Sequence, residues 1–76
     1  MHKTTTQIEI TTDYLELQQL LKIVGLISTG GEAKFFLATN AVSVNGENEK
    51  RRGRKLFPKD LVKVKDIEYA IVKKCI

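Results

Sequence analysis

The sequence predicts an α+β domain in which two packed helices lie against a small, mainly antiparallel sheet. Three observations predict it. Apolar residues recur at helical spacing in two stretches before residue 40 and at period two beyond it. Asn45-Gly46 between apolar alternations is a hairpin signal. A length of 76 residues suits one domain spanning 1–76 and not two.

The elements follow in order. Residues 6–12 (TQIEITT) alternate, with Ile8 and Ile10 on one side and Gln7, Glu9 and Thr11 on the other, which predicts a strand. Leu17, Leu20, Leu21 and Val24 fall at i, i+3, i+4 and i+7, so a helix is predicted over about 14–24. Thr12 or Asp13 would cap its start, and Gly25 stands where a left-handed C-terminal residue is wanted. Thr29-Gly30-Gly31-Glu32 matches a capping box and opens a second helix with the core stripe Ala33, Phe36 and Leu37, ended by Asn40. The short connection between the helices requires them to pack closely. Val42 and Val44 then face one way and Ser43 the other, Asn45-Gly46 turns, and 47–55 is polar and mostly basic. Leu56-Phe57 is apolar, Pro58-Lys59-Asp60 turns, and 61–64 and 69–72 read as strands about a turn at Asp66.

Composition excludes several classes of function. Hydrophobic residues make up 42% and charged residues 29%, the balance of a folded globule and not of a disordered tail. No run approaches the roughly 18 apolar residues of a membrane span, and no apolar region follows 1–6, so neither a membrane partner nor a secretion signal is expected. One cysteine, Cys75, and one histidine, His2, at opposite ends predict no disulfide, metal site or cofactor, and a reducing cytoplasmic setting. They also give no nucleophile–base pair, and Glu47 and Glu49 beside arginines read as charge partners or solvated groups. An enzyme with a small-molecule substrate is therefore not expected, because so short a chain has little room for a pocket.

Charge is the informative feature. Residues 1–38 carry three basic and four acidic side chains, a balance of −1, and residues 39–76 carry ten and five, a balance of +5. A field so concentrated attracts polyanions. Its centre is Lys50-Arg51-Arg52-Gly53-Arg54-Lys55, five cations in six residues. Such a run serves phosphate binding or merely keeps a loop soluble. Lying after a tight turn and between apolar strand residues, these charges belong to a folded surface, with Arg51, Arg52 and Arg54 expected to be exposed. Ser28 to Lys34 offers backbone amides and two glycines at a helix start, which suits phosphate, although a capping box alone explains the same residues. Phe35, opposite the core stripe, is expected to pack under the strand carrying Ile8 and Ile10, with stacking on a base as the other possibility. Tyr14 and Tyr69 read as structural.

Taken together, the stretch from about 15 to 64 resembles the S4 RNA-binding domain. The resemblance rests on Lys22-Ile23-Val24-Gly25-Leu26, on Ser28-Thr29 opening a helix with Glu32-Ala33-Lys34, on Ala41-Val42-Ser43-Val44-Asn45-Gly46, and on Pro58-Lys59-Asp60-Leu61-Val62. The N-terminal strand, the Ser28-Thr29-Gly30-Gly31-Glu32-Ala33-Lys34 stretch and the arginine run look especially like the short stand-alone bacterial S4 proteins of the YaaA/YbcJ type. The resemblance implies an S4-like fold (the alpha-L motif) with an extra N-terminal strand. It also implies a basic face for structured RNA, ribosomal RNA foremost, on a ribosome-associated monomer. Carried over, the candidate contacts are Lys22, Thr29, Gly30, Gly31 and Lys34 on the helices and Asn45, Lys50, Arg51, Arg52, Arg54 and Lys55 on the hairpin side.

Two departures stand out. Gly30-Gly31 replaces the Arg or Lys common after Ser-Thr, so that contact would be made by backbone or be missing. Lys59 replaces the usual glycine of a Pro-Gly-Asp turn. A left-handed lysine costs on the order of 1 kcal/mol, so a locally different turn is expected. The competing reading is an adaptor whose basic face docks an acidic, ribosome-associated protein. A DNA reader fits less well, since the second helix offers one basic residue, Lys34.

Overall fold

The structure, a computed structural model, describes residues 4–74. His2 and Cys75, on which the metal and disulfide arguments turn, lie outside the described residues. The chain runs β1 (Thr4–Ile10), β2 (Leu15–Glu16), α1 (Leu17–Ile23), α2 (Gly30–Thr39), β3 (Val42–Val44), β4 (Glu47–Asn48), β5 (Lys55–Leu56), β6 (Leu61–Val64) and β7 (Ile67–Lys73). Five strands form one sheet in the order β1-β7-β6-β3-β4, and β2 pairs with β5 in a second, two-residue ladder. Among the described residues only the β1–β7 contact is parallel, and every other pair is antiparallel.

Alternation explains which face of the sheet is buried. Register sets Ile8 opposite Ile71, Tyr69 opposite Val62, and Val44 and Val42 opposite Val62 and Val64. All of these are buried, together with Ile10. The helices close over them with Leu17, Leu20, Leu21, Ala33 and Leu37, and Phe36 packs at the margin. One continuous apolar core results.

The first helix begins later than its apolar period suggests. Tyr14 and the two residues after it do not join the helix, because Leu15 and Glu16 pair with Leu56 and Lys55. Burying Leu15 against β5 outweighs one more helical turn, and neither Thr12 nor Asp13 caps the helix. Glu16 does so instead, in a capping box closed by Gln19, whose Oε1 accepts from the Glu16 N–H at 2.8 Å. At the second helix the expected box forms only in part. Thr29 is the N-cap residue but makes no side-chain cap bond, and Glu32 reaches one residue further back to accept from the Ser28 N–H at 3.3 Å. Asn40 ends α2 as expected, donating its backbone N–H and its side-chain amide to the Phe36 carbonyl.

Left-handed residues stand at Gly25 after α1, at Lys65 between β6 and β7, and in two turns near the basic loop. Asn45 and Gly46 have φ of 53° and 87° and join β3 to β4 through a two-residue loop, the primed geometry that matches strand twist. Lys59, where a different turn was expected, keeps φ at 81°. The conformation persists because its surroundings are saturated. The Lys59 N–H donates to the Ile71 carbonyl at 2.8 Å, the Asp60 N–H to the Phe57 carbonyl at 3.0 Å, and the Phe57 N–H to Asp60 Oδ2 at 2.8 Å. Three hydrogen bonds at about 1 kcal/mol each outweigh the strain.

Candidate nucleic-acid interface

The arginine run is a loop between β4 and β5, and backbone contacts fix it from below. The carbonyls of Arg54 and Arg52 accept the first amides of α1, from Leu17 at 2.8 Å and Gln18 at 2.9 Å. These amides have no partner within their own helix, so the loop satisfies them and is itself held. A tight turn from Arg51 to Arg54, closed at 3.2 Å, completes the loop.

A second anchor is electrostatic. Glu49 has its side chain 8% exposed and receives Arg51 through Nε and Nη2, both at 3.1 Å, and Arg54 through Nη1 at 2.9 Å. The Lys50 and Arg51 backbone amides also donate to it, at 3.1 and 3.2 Å. The Arg51 hydrogen bond, joined by the backbone amide of Arg51 and by Arg54, draws the Glu49 pKa down to about 2 against the opposing effect of burial. Glu49 in turn holds the Arg51 proton more tightly.

Of the two sequence readings of Glu49, charge partner or solvated group, the structure shows the charge partner, and it is buried. One sequence expectation changes. Arg54 is half-buried, its side chain 32% exposed, and serves the fold, whereas Arg51 remains 75% exposed while clasped.

Arg52 points the other way. Its Nη1 donates to the Gly30 carbonyl at the start of α2, a long hydrogen bond of 3.4 Å. This contact brings the loop to the helix start. Gly30, Lys34 and Ala38 are spaced four apart and share one ridge of α2. A groove along Ala38, Thr39 and Lys50 places the other end of the loop beside the same helix. Lys34 is exposed between those two points. Gly30 also has a packing reason for lacking a side chain, since a Cβ there would come within 3.2 Å of Gln18 Oε1 on α1. Thr29 and Gly31 are exposed at the same helix start, and Lys22 is exposed in the last turn of α1, with no hydrogen bond or ion pair tying Lys22 to the loop among the described residues.

Asn45 is committed to the fold. Its amide donates to Asp60 Oδ1 at 3.1 Å and its Oδ1 accepts from the Leu61 N–H at 2.9 Å. Phe35 does not pack under β1. It is 72% exposed, on the side of α2 opposite Ala33 and Leu37, which no described residue buries. Tyr69 is buried as expected, while Tyr14 is partly exposed, tilted on Phe57 at 5.7 Å with the Lys55 ammonium 5.0 Å over its ring. Sequence reasoning gave Phe57 and Asp60 no role beyond an apolar position and a turn, and it left open whether Glu49 is paired or solvated. For Glu49 the usable signal was its place between an edge strand and four arginine or lysine neighbours.

No helix among the described residues is long and apolar enough to cross a membrane. A protein-family model described as the S4 domain matches residues 8–72. A curated relative, the probable ribosome maturation protein RlbA of Bacillus subtilis (strain 168), is 46% identical over 57 residues, 75% of this chain and 80% of that protein.

Proposed function

The chain belongs to the S4 domain family, and from that premise we propose that it is a non-enzymatic module that binds structured RNA, ribosomal RNA foremost, in association with the ribosome. The relative's name as a ribosome maturation protein supports the ribosomal part of this reading. The observation that carries the RNA part is the Arg52 contact with Gly30, which sets a loop of five cations against the start of α2.

Phosphate contacts supply most of the affinity for nucleic acid. In this reading Lys50, Arg52 and Lys55 meet one phosphate backbone directly, and Arg51 does so from its clasp on Glu49. Lys22, Thr29, Lys34 and the Gly30-Gly31 backbone face a second stretch of RNA. Arg54 and Asn45 act by holding the loop and the turn. Residues 1–76 work as one domain, as a cytoplasmic monomer.

The test is a binding titration with a folded RNA hairpin and with duplex DNA of matching sequence, from low to high salt. Tight, salt-sensitive binding that favours the folded RNA is the expected result. Absence of binding to the RNA at low salt would refute the reading. A cellular complex that survives RNase would instead support an adaptor docking an acidic protein.

A further inference from the structure

The loop has a second side, away from α2, that shares Arg51 and Lys55 with the phosphate contacts above and adds an aromatic ring those contacts do not use. Arg51, Gly53, Arg54, Lys55, Phe57 and Asp60 line a groove of about 640 Å³, within the range that holds a small ligand. Phe57 is 48% exposed, a large share for an aromatic residue whose backbone is pinned at both ends by Asp60. Its ring rests on Tyr14, and Lys55 lies over Tyr14 in turn. The one carboxylate of the groove, Asp60, already accepts from the Phe57 N–H and from the Asn45 amide. What remains on offer is a flat apolar ring, held in place, beside two exposed cations, Lys55 and Arg51.

Two needs are thereby met together: a planar apolar body and an attached anion. A nucleotide has both. A base inside a duplex has its faces covered by its neighbours, so only a base splayed out of a loop or bulge can lie on a protein ring. We infer that this groove receives one unpaired nucleotide of the RNA, its base against Phe57 and its phosphate against Lys55 and Arg51. The inference rests on the RNA-binding reading above and narrows it. The ligand is a folded RNA with an extruded base, and the loop is gripped between a duplex backbone on the Arg52 side and a single nucleotide on the Phe57 side.

The experiment compares two RNA hairpins, one fully paired and one with a single bulged 2-aminopurine, whose fluorescence falls on stacking. Base–aromatic stacking predicts that the wild-type protein prefers the bulged hairpin by about tenfold and quenches its fluorophore. Phe57→Leu retains apolar contact with Tyr14 and should reduce the preference to within about twofold, with little quenching and unchanged affinity for the paired hairpin. Gly53→Leu provides an independent block. A Cβ at Gly53 meets no other atom within 4 Å, so the fold should tolerate it while the groove fills.

Equal wild-type binding to both hairpins, or a Phe57→Leu variant that keeps preference and quenching, would overturn the nucleotide groove and leave RNA binding standing. Failure to bind either hairpin at low salt would remove both.

Discussion

The arginine loop and the start of α2 bring positive charge to the same neighbourhood but hold it in different ways. In the loop, a buried carboxylate clasps two guanidinium groups and two backbone carbonyls are locked onto α1. On the helices, Lys22 and Lys34 stand exposed as single solvated cations. A long side chain fixed before binding loses less conformational freedom when a ligand arrives, about 0.5–1.5 kcal/mol less per side chain. In the proposed RNA surface the loop is therefore the preorganised half and the helices are the adaptable half. The same fixation makes the loop hard to probe by mutation. Replacing Arg51 and Arg54 with Glu would set new carboxylates against buried Glu49 and damage the fold along with any binding.

The cations that Glu49 does not hold can be changed without touching the clasp. Lys50→Glu, Arg52→Glu and Lys55→Glu together should lower affinity for a folded RNA by on the order of 100-fold or more. The slope of log K against log salt should flatten by about one for each lost contact, while circular dichroism stays native. A smaller effect is expected at Glu49. Glu49→Gln should cost about 1–3 kcal/mol in urea unfolding, since it weakens charged hydrogen bonds to two arginines.

That variant also carries a pH signature. Folding lowers the Glu49 pKa from 4.5 to about 2, so the unfolded chain binds this proton first. The stabilisation is complete above pH 4.5 and is lost as pH falls towards 2. The stability difference between wild type and Glu49→Gln should accordingly shrink across that interval, and a constant difference would mean that the clasp contributes nothing.

On the helical side, Lys34→Ala should weaken RNA binding only a few-fold, lowering the salt slope by about one, with stability unchanged within about 0.5 kcal/mol. A Lys34→Ala loss as large as that of the triple loop variant would reverse the assignment of the dominant half. Phe35→Ser should have the smallest effect, within about 0.5 kcal/mol in stability, because its ring leaves no core contact behind.

Much of this molecule can be read from its sequence, and what cannot has a common physical cause. The leucine stripe of α1, the Ala33/Phe36/Leu37 stripe, the Asn45-Gly46 turn and the alternation of Val42, Val44, Val62 and Val64 are local patterns, and each leads to its element. The start of α1 fails locally because Leu15 answers to Leu56, forty-one residues away, in a ladder too short to mark either strand. Phe35 defeats the expectation that aromatic residues pack, because it lies on the side of α2 opposite Ala33 and Leu37 and is 72% exposed there. Lys59 keeps a conformation that its own propensity opposes, because Ile71 and Asp60 hold it there.

The candidate site divides in the same way. The cations are plain in the run from Lys50 to Lys55, but which of them are free depends on Glu49, and burial of an acid is a tertiary fact. The groove beside Phe57 likewise joins residues from the loop and from the Pro58-Lys59-Asp60 turn, which no periodicity links.

Amide chemical-shift mapping during titration with a folded RNA hairpin at low salt tests the shared surface most directly. Perturbations should concentrate in 50–55 and 29–34, with the outer face of the sheet, at Thr5, Gln7 and Lys63, left unmoved. Shifts centred on that sheet face, or an arginine loop that stays silent while RNA binds elsewhere, would contradict this expectation.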